Sequence, residues 1–260
     1  MKRFKEKTVI VTGAGSGMGR ATALRFANEG ARVVLVGRTA KTLEETAKEF
    51  PQDRTWIHTD NYLTIVCDIT KQSQVQEMVK RVIDKFDEID VVVNNAGKGM
   101  EGKITDLSAE DWKSAIDVNL NGTFYVCQAV IPHLIKTKGS IINVSSLSGI
   151  GGDWNMAAYN AAKAGVTNLT RTLALDHGPD GVRVNAVNPT ATETSMTKDL
   201  REDKEKTDKF LARCPLGRFV TPEDIAAAIT FLASDDAAMI TGVNLPVDGG
   251  VSASNGQPHF

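Results

Sequence analysis

Tyr159 and Lys163 stand four residues apart in Tyr159-Asn160-Ala161-Ala162-Lys163, inside a stretch whose apolar residues recur with helical period. That spacing puts a phenol and an ammonium on one helix face. A free phenol ionises near pH ~10 and is a poor base at neutral pH. A nearby ammonium, or the positive ring of an oxidised nicotinamide, stabilises the phenolate. The pair therefore suits proton transfer to and from an alcohol oxygen. Ser146 follows the apolar run 141–144, where a hydroxyl at a strand's carboxyl end can hold a carbonyl or alcohol oxygen. Asn119, in Asp117-Val118-Asn119-Leu120-Asn121-Gly122, lies within a long helical stretch, where asparagine is mildly unfavourable and so invites a functional reading.

A second constellation opens the chain. The apolar run 8–11 leads into Thr12-Gly13-Ala14-Gly15-Ser16-Gly17-Met18-Gly19 and then a helical pattern. Glycines let backbone turn sharply against a pyrophosphate, and a helix N-terminus offers free N–H groups; strand, glycines and helix in this order point to a dinucleotide. Gly13, Ser16, Gly17, Met18 and Gly19 are the candidate contacts. An acid about 20 residues downstream would hold the ribose hydroxyls of NAD. Here the second run, 33–36, ends in Gly37-Arg38 instead. A guanidinium can grip a phosphate through two parallel hydrogen bonds, which favours NADP over NAD. Asp68, with Ile69 beside it, follows the third run and is a candidate for the adenine amino group; a turn or helix-cap aspartate is the other reading. Asn94-Asn95-Ala96-Gly97 supplies small residues where the chain would pass the cofactor, with Asn95, Ala96 and Gly97 as contacts, and a carboxamide to lock the sheet.

These residues need a scaffold. Short apolar runs at 8–11, 33–36, 63–67, 89–93, 141–144, 182–187 and 240–247 lack clean alternation, as strands buried on both faces do. Helix-period stretches at 18–28, 41–49, 72–86, 109–136, 156–177 and 222–234 fall between them. Thr221-Pro222-Glu223-Asp224 is a helix start, with a capping hydroxyl, an early proline and acids in the first turn. The alternation predicts an α/β fold, a doubly wound parallel sheet of about seven strands, as one domain over 1–260. Residues 51–61 read as an irregular loop. The charged stretch 192–214 reads either as a solvated helical face or as a lid over a pocket.

Composition narrows the classes. The 260 residues are 42% hydrophobic and 24% charged, with a formal net charge of -2, so neither disorder nor a basic nucleic-acid or membrane surface is indicated. No apolar run approaches the length of a membrane span. Cys67, Cys127 and Cys214 are widely spaced, which fits a reducing cytoplasm. The four histidines are scattered, and no metal site is expected.

Taken in order, TGAGSGMG, NNAG, the Asn119 segment, the Ser146 strand end, Tyr159-Asn160-Ala161-Ala162-Lys163, Asn188-Pro189 and Pro246-Val247-Asp248-Gly249-Gly250 resemble the short-chain dehydrogenase/reductase family over essentially the whole chain. The resemblance implies a Rossmann-type fold, with Tyr159 as general acid/base and Lys163 lowering its pKa and binding the nicotinamide ribose. It implies that Ser146 orients the substrate oxygen and that Asn119 holds a relay water. Pro189, Thr192 and Thr194 would meet the cofactor, Thr194 at the carboxamide. The family usually has glycine after that proline, whereas this chain has Thr190. The resemblance also implies a homotetramer, or sometimes a dimer. Apolar content beyond one stripe in 109–136 and 156–177 agrees with helices that bury a second face.

The segment 151–187 and the ending VDGGVSASNGQPHF resemble the bacterial 2,3-butanediol dehydrogenase (acetoin or diacetyl reductase) branch. That branch commonly uses NAD, with aspartate where this chain has Gly37. The expectation is hydride transfer between a nicotinamide cofactor and a small secondary alcohol or ketone. A 3-oxoacyl or sugar-like ketone and a non-catalytic nucleotide-binding module are the alternatives. A Ser146 hydrolase is disfavoured because no G-x-S-x-G elbow surrounds it. Gly151-Gly152-Asp153-Trp154-Asn155 should edge the pocket, with Trp154 either walling it or packing at the helix start.

Overall fold

Seven runs rich in β-branched residues form one parallel sheet in a computed structural model that describes residues 2–51 and 61–256. The strands are β1 (Thr8–Thr12), β2 (Arg32–Gly37), β3 (Tyr62–Val66), β4 (Val91–Asn94), β5 (Ser140–Val144), β6 (Arg183–Pro189) and β7 (Asn244–Val247). Their spatial order is β3-β2-β1-β4-β5-β6-β7. Successive side chains leave a strand on opposite faces. Val9, Val11, Val33 and Leu35 accordingly pack into one core layer, and Ile10, Val34 and Val36 into the other.

Helices α1 (Gly17–Asn28), α2 (Ala40–Lys48) and α9 (Pro222–Ala233) cover the first face through Phe26, Leu43, Ile225 and Ile229. Helices α3 (Gln72–Phe86), α5 (Gly122–Thr137) and α6 (Ala157–His177) cover the second through Met78, Val82, Val126, Leu134 and Ala174. Chain order reverses between β1 and β4, so the crevice where open α/β sheets bind ligands lies at the carboxyl ends of those strands.

The structure refines the sequence pattern in three places. The expected helix 109–136 is α4 (Ala109–Ile116), a wider π turn over Asp117–Asn121, then α5. In that turn the Gly122 N–H reaches back five residues to the Asp117 carbonyl. The last strand begins only at Asn244, because Gly242 takes φ 77 and first ties its N–H to the Val184 carbonyl. The charged stretch 192–214 folds as a short turn at Ser195–Thr197, then α7 (Lys198–Glu202) and α8 (Lys204–Leu211). Its charges pair along the solvent face, Lys198 with Glu202 at 3.5 Å and Lys209 with Glu205 at 2.6 Å. Phe210 stacks on Phe219 at 4.8 Å, anchoring α8. The loop expected at 51–61 falls mostly on 52–60, outside the described residues.

Candidate active site

The crevice is a cleft of about 310 Å³, lined on one side by the turn between β1 and α1. Gly13 holds φ 67 there and Gly17 φ 50, conformations that side chains rarely adopt. A β-carbon on Gly19 would collide with the Gly13 carbonyl oxygen. One on Gly13 would lie 2.8 Å from Asn95 Nδ2. The glycines therefore pack backbone on backbone and leave the N-terminus of α1 open to the cleft. Asn95 fastens this turn to β4: its Nδ2 donates to the Thr12 carbonyl at 2.9 Å. Thr12 Oγ1 in turn accepts the N–H groups of Asn95 and Ala96, each at 3.0 Å. Behind them Asn94 donates to Asn143 at 2.9 Å, which locks β4 to β5.

Gly13, Ser16, Gly17, Met18, Arg38, Asp68, Ile69, Asn95, Ala96, Gly97 and Thr194 all line the same cleft, whereas Gly19, packed against the Gly13 carbonyl, does not. Arg38 is exposed at its rim and makes no ion pair among the described residues. Asp68 accepts from the backbone and hydroxyl of Thr70 at 3.0 and 2.9 Å. Burial pushes its carboxyl up, but those bonds, with Arg38 and Lys71 nearby, hold it below its ordinary value. Asp68 is thus both a turn aspartate and a lining residue. Pro189 and Thr192 do not line the cleft: Pro189 ends β6 beside Val247, and Thr192 is buried with its hydroxyl on the Thr190 carbonyl at 2.9 Å. From the charged stretch, only Thr194, Ser195 and Met196 reach the cleft. Thr42, Lys98 and Met196 also line it; their sequence context carries no motif that singles them out.

The cleft leads to the catalytic candidates through Gly97. A β-carbon there would sit 2.9 Å from Asn119 Oδ1 and 3.6 Å from Lys163 Nζ. Asn119 is buried in the π turn, a distortion that recurs at functional sites. Its Oδ1 accepts the Lys98 N–H at 3.1 Å, and its Nδ2 donates to the carbonyls of Lys98 at 2.9 Å and Ala115 at 3.0 Å. The side chain braces the 97–98 backbone against the helix. Lys163 is buried, and its Nζ donates to the Val144 carbonyl at 2.8 Å, 5.6 Å from the Tyr159 ring centroid. Burial alone lowers its ammonium from 10.5 to about 8. Burial raises the Tyr159 phenol above its ordinary value, the neighbouring Ser146 hydroxyl pulls it down, and the charge of Asp153 pushes it up again. In this protein alone, then, desolvation outweighs the stabilisation of phenolate that the spacing suggests.

Ser146 starts a short turn after β5, where its Oγ accepts the Ser148 N–H at 3.1 Å. Ser148 Oγ, itself bonded to Ser146 Oγ at 3.1 Å, donates to Asp153. Asp153 lies in the segment expected to edge the pocket, whereas Ser148 has no motif to mark it; the loop's return toward the strand end joins the two. Trp154 neither walls the cleft nor packs at the helix start, being 94% exposed. Next to it Asn155 takes φ 59, and its carbonyl accepts the Gly102 N–H at 2.6 Å, tying this loop to the one after β4.

Among the described residues, no cluster of histidine, cysteine and carboxylate is placed to hold a metal, and no helix is long and apolar enough to cross a membrane. The three thiols are buried and unpaired; burial pushes Cys67 to about 11 and Cys127 to about 12.

Comparison with known proteins agrees with this geometry. A family profile described as enoyl-(acyl carrier protein) reductase matches residues 13–252. The meso-2,3-butanediol dehydrogenase of Serratia marcescens is 45% identical, covering 98% of this chain and 98% of its own. A 3-oxoacyl-(acyl-carrier-protein) reductase of Thermotoga maritima is 42% identical, over 96% of this chain and 99% of its own. The crystal structure of levodione reductase superposes with a TM-score of 0.91 at 33% identity, over 97% of this chain and all of that one. Full-length likeness at this identity, across relatives that differ in substrate, shows a shared cofactor chemistry: the chain belongs to the short-chain dehydrogenase/reductase family and is a nicotinamide-dependent oxidoreductase of alcohols and carbonyl compounds.

Proposed function

We propose that this enzyme interconverts a small secondary alcohol of the acetoin or butanediol type with its ketone, preferring NADP(H). The observation that carries the reading is the meeting of Ser146, Tyr159 and Lys163 at the end of the glycine-lined cleft. The glycine cradle fits a dinucleotide because Gly13, Gly15 and Gly17 line the cleft at the α1 N-terminus, and β-carbons at Gly13 and Gly19 would force that turn apart. When bound, the nicotinamide supplies or accepts the hydride. Tyr159 gives a proton to the oxygen in reduction and takes it in oxidation, and Ser146 holds that oxygen. Lys163 places a positive charge beside the phenol and is close enough to Gly97 to meet a ribose. Asn119 keeps the Gly97–Lys98 backbone in place; the relay water expected of it would use the lone pair that its Oδ1 leaves free.

The substrate class is supported by the butanediol dehydrogenase relative, and a 3-oxoacyl substrate by the other. The NADP preference rests on Gly37 in place of an acid and on Arg38, exposed and unpaired among the described residues at the cleft rim. A homotetramer is supported by apolar side chains left in solvent on α4, α5 and α6: Trp112, Phe124, Ile135 and Leu175. A sheet that runs from Thr8 to Val247 supports one domain over 1–260, and unpaired buried thiols suit a cytoplasmic setting.

The test is loss of reduced-nicotinamide absorbance with diacetyl or acetoin, using NADPH and NADH separately. Faster turnover with NADPH is expected. Arg38→Leu should raise the KM for NADPH about tenfold or more, the scale of a charge-assisted hydrogen bond, and leave NADH unchanged. Equal effects on both cofactors would refute the phosphate role of Arg38. Turnover with a 3-oxoacyl thioester but with neither small ketone would replace the substrate assignment.

A further inference from the structure

Ser146, Ser148 and Asp153 form a hydrogen-bonded chain with a fixed direction. An ionised carboxylate can only accept a hydrogen bond, whereas a serine hydroxyl has one hydrogen to give. The contact between Ser148 Oγ and Asp153 Oδ2 therefore uses the hydrogen of Ser148. The Oγ atoms of Ser146 and Ser148 lie 3.1 Å apart, so the hydrogen between them must come from Ser146. Ser146 Oγ also accepts the Ser148 N–H at 3.1 Å. Its hydrogen and one lone pair are thereby committed. What remains for the site is one lone pair.

We infer that Asp153 is a positioning residue that acts through Ser148 to present Ser146 to the substrate as a hydrogen-bond acceptor, so that the resting site complements an alcohol better than a ketone. This rests on the assignment of Ser146 as the group that holds the substrate oxygen. An alcohol O–H can donate to the free lone pair of Ser146. A ketone oxygen, which only accepts, is left with the Tyr159 O–H as its donor. Removing Asp153 frees the Ser148 hydrogen, and the Ser146 hydrogen can then turn toward a carbonyl. Asp153 itself is exposed on the loop before α6, so its replacement leaves the core intact.

The test compares Asp153→Ala, Ser148→Ala and the double variant with the parent, using butanediol oxidation and acetoin reduction at saturating cofactor. In both single variants the KM for the alcohol should rise and the KM for the ketone fall, each about fivefold, the worth of one neutral hydrogen bond. The double variant should match the singles, because both break the same chain. The equilibrium constant of the reaction is not the enzyme's to change. At constant cofactor affinity, the ratio of the two kcat values must therefore move to offset the KM ratio. A merely structural role would raise both KM values together, and that result, or an unchanged ratio, overturns the inference. Ser146→Ala serves as the separate arm: full turnover in that variant overturns the assignment beneath the inference as well, whereas lost turnover with no ratio shift in Asp153→Ala overturns the inference alone.

Discussion

Lys163→Met should abolish turnover and yet stabilise the folded protein at neutral pH. The ammonium is fully buried, and burial lowers it from 10.5 to about 8. Below pH 8 the folded state must hold a charge it would rather release, which costs about 3 kcal/mol relative to the neutral amine. Methionine is similar in length, unbranched and apolar, so the site accepts it without overpacking. It forfeits the bond to the Val144 carbonyl and leaves that carbonyl unpaired, at about 1–2 kcal/mol. The variant should therefore gain about 1–2 kcal/mol at pH 7, or about 2–8 °C in Tm for a domain of this size. The sign then reverses with pH. A lysine whose folded pKa lies below its unfolded one binds fewer protons when folded, so the parent gains stability as pH rises from about 8 to 10.5. Near pH 10 the parent should melt above the variant by a similar margin. Thermal melts of both proteins without cofactor, from pH 7 to 10, measure the crossing. A variant that melts lower than the parent by a constant amount at every pH would refute the buried-charge reasoning.

Three further outcomes follow from the same geometry. Tyr159→Phe should lower kcat by about 10²–10⁴, the range of a general acid/base, while cofactor binding followed by fluorescence changes less than about threefold; retained turnover would remove the phenol from the mechanism. Gly19→Ala should force the Gly13 backbone and Asn95 apart, lowering stability by about 2–4 kcal/mol and weakening cofactor binding at least tenfold, as read from melting and titration. At the start of α9 the Thr221 Oγ1 accepts the Asp224 N–H at 3.2 Å, and the Asp224 carboxylate accepts the Thr221 N–H at 2.9 Å. Arg218 holds the Asp224 carboxyl well below its usual range. Asp224→Ala should cost about 1 kcal/mol at pH 7 by melting, a difference that fades as acid protonates the parent's carboxyl.

Much of this protein was determined locally. Continuous β-branched runs buried on both faces, spaced by helical periods, left a parallel α/β sheet as the economical arrangement. Gly13 and Gly17 after a strand announced their cleft because their backbone favours glycine, and Gly19 because a β-carbon there would strike the Gly13 carbonyl. The four-residue spacing of Tyr159 and Lys163 dictated a shared helix face. Arg38 after Gly37 could be read because each lies at a strand end whose place in such a sheet is known.

Tertiary structure decided what depends on approach between distant segments. Asn119 is marked by its awkward place in a helix, but that it braces Lys98 depends on the loop after β4 folding against a π turn. The phenol of Tyr159 sits above rather than below its ordinary value because burial, which no spacing encodes, outweighs its neighbours. The charged stretch 192–214 could have been a lid or a solvated face; Phe210 on Phe219 and the ion pairs along the outside place its helices, leaving only Thr194–Met196 at the cleft. Pro189 and Thr192 stand close to Thr194 in sequence yet miss the cleft, since the chain turns between them. Asp153 was legible only as part of a segment at the pocket edge; its link to Ser146 exists because the loop before α6 brings a carboxylate back to the end of β5. Spacing along one element reports which side chains share a face; burial and contacts between elements arise only when the chain closes on itself.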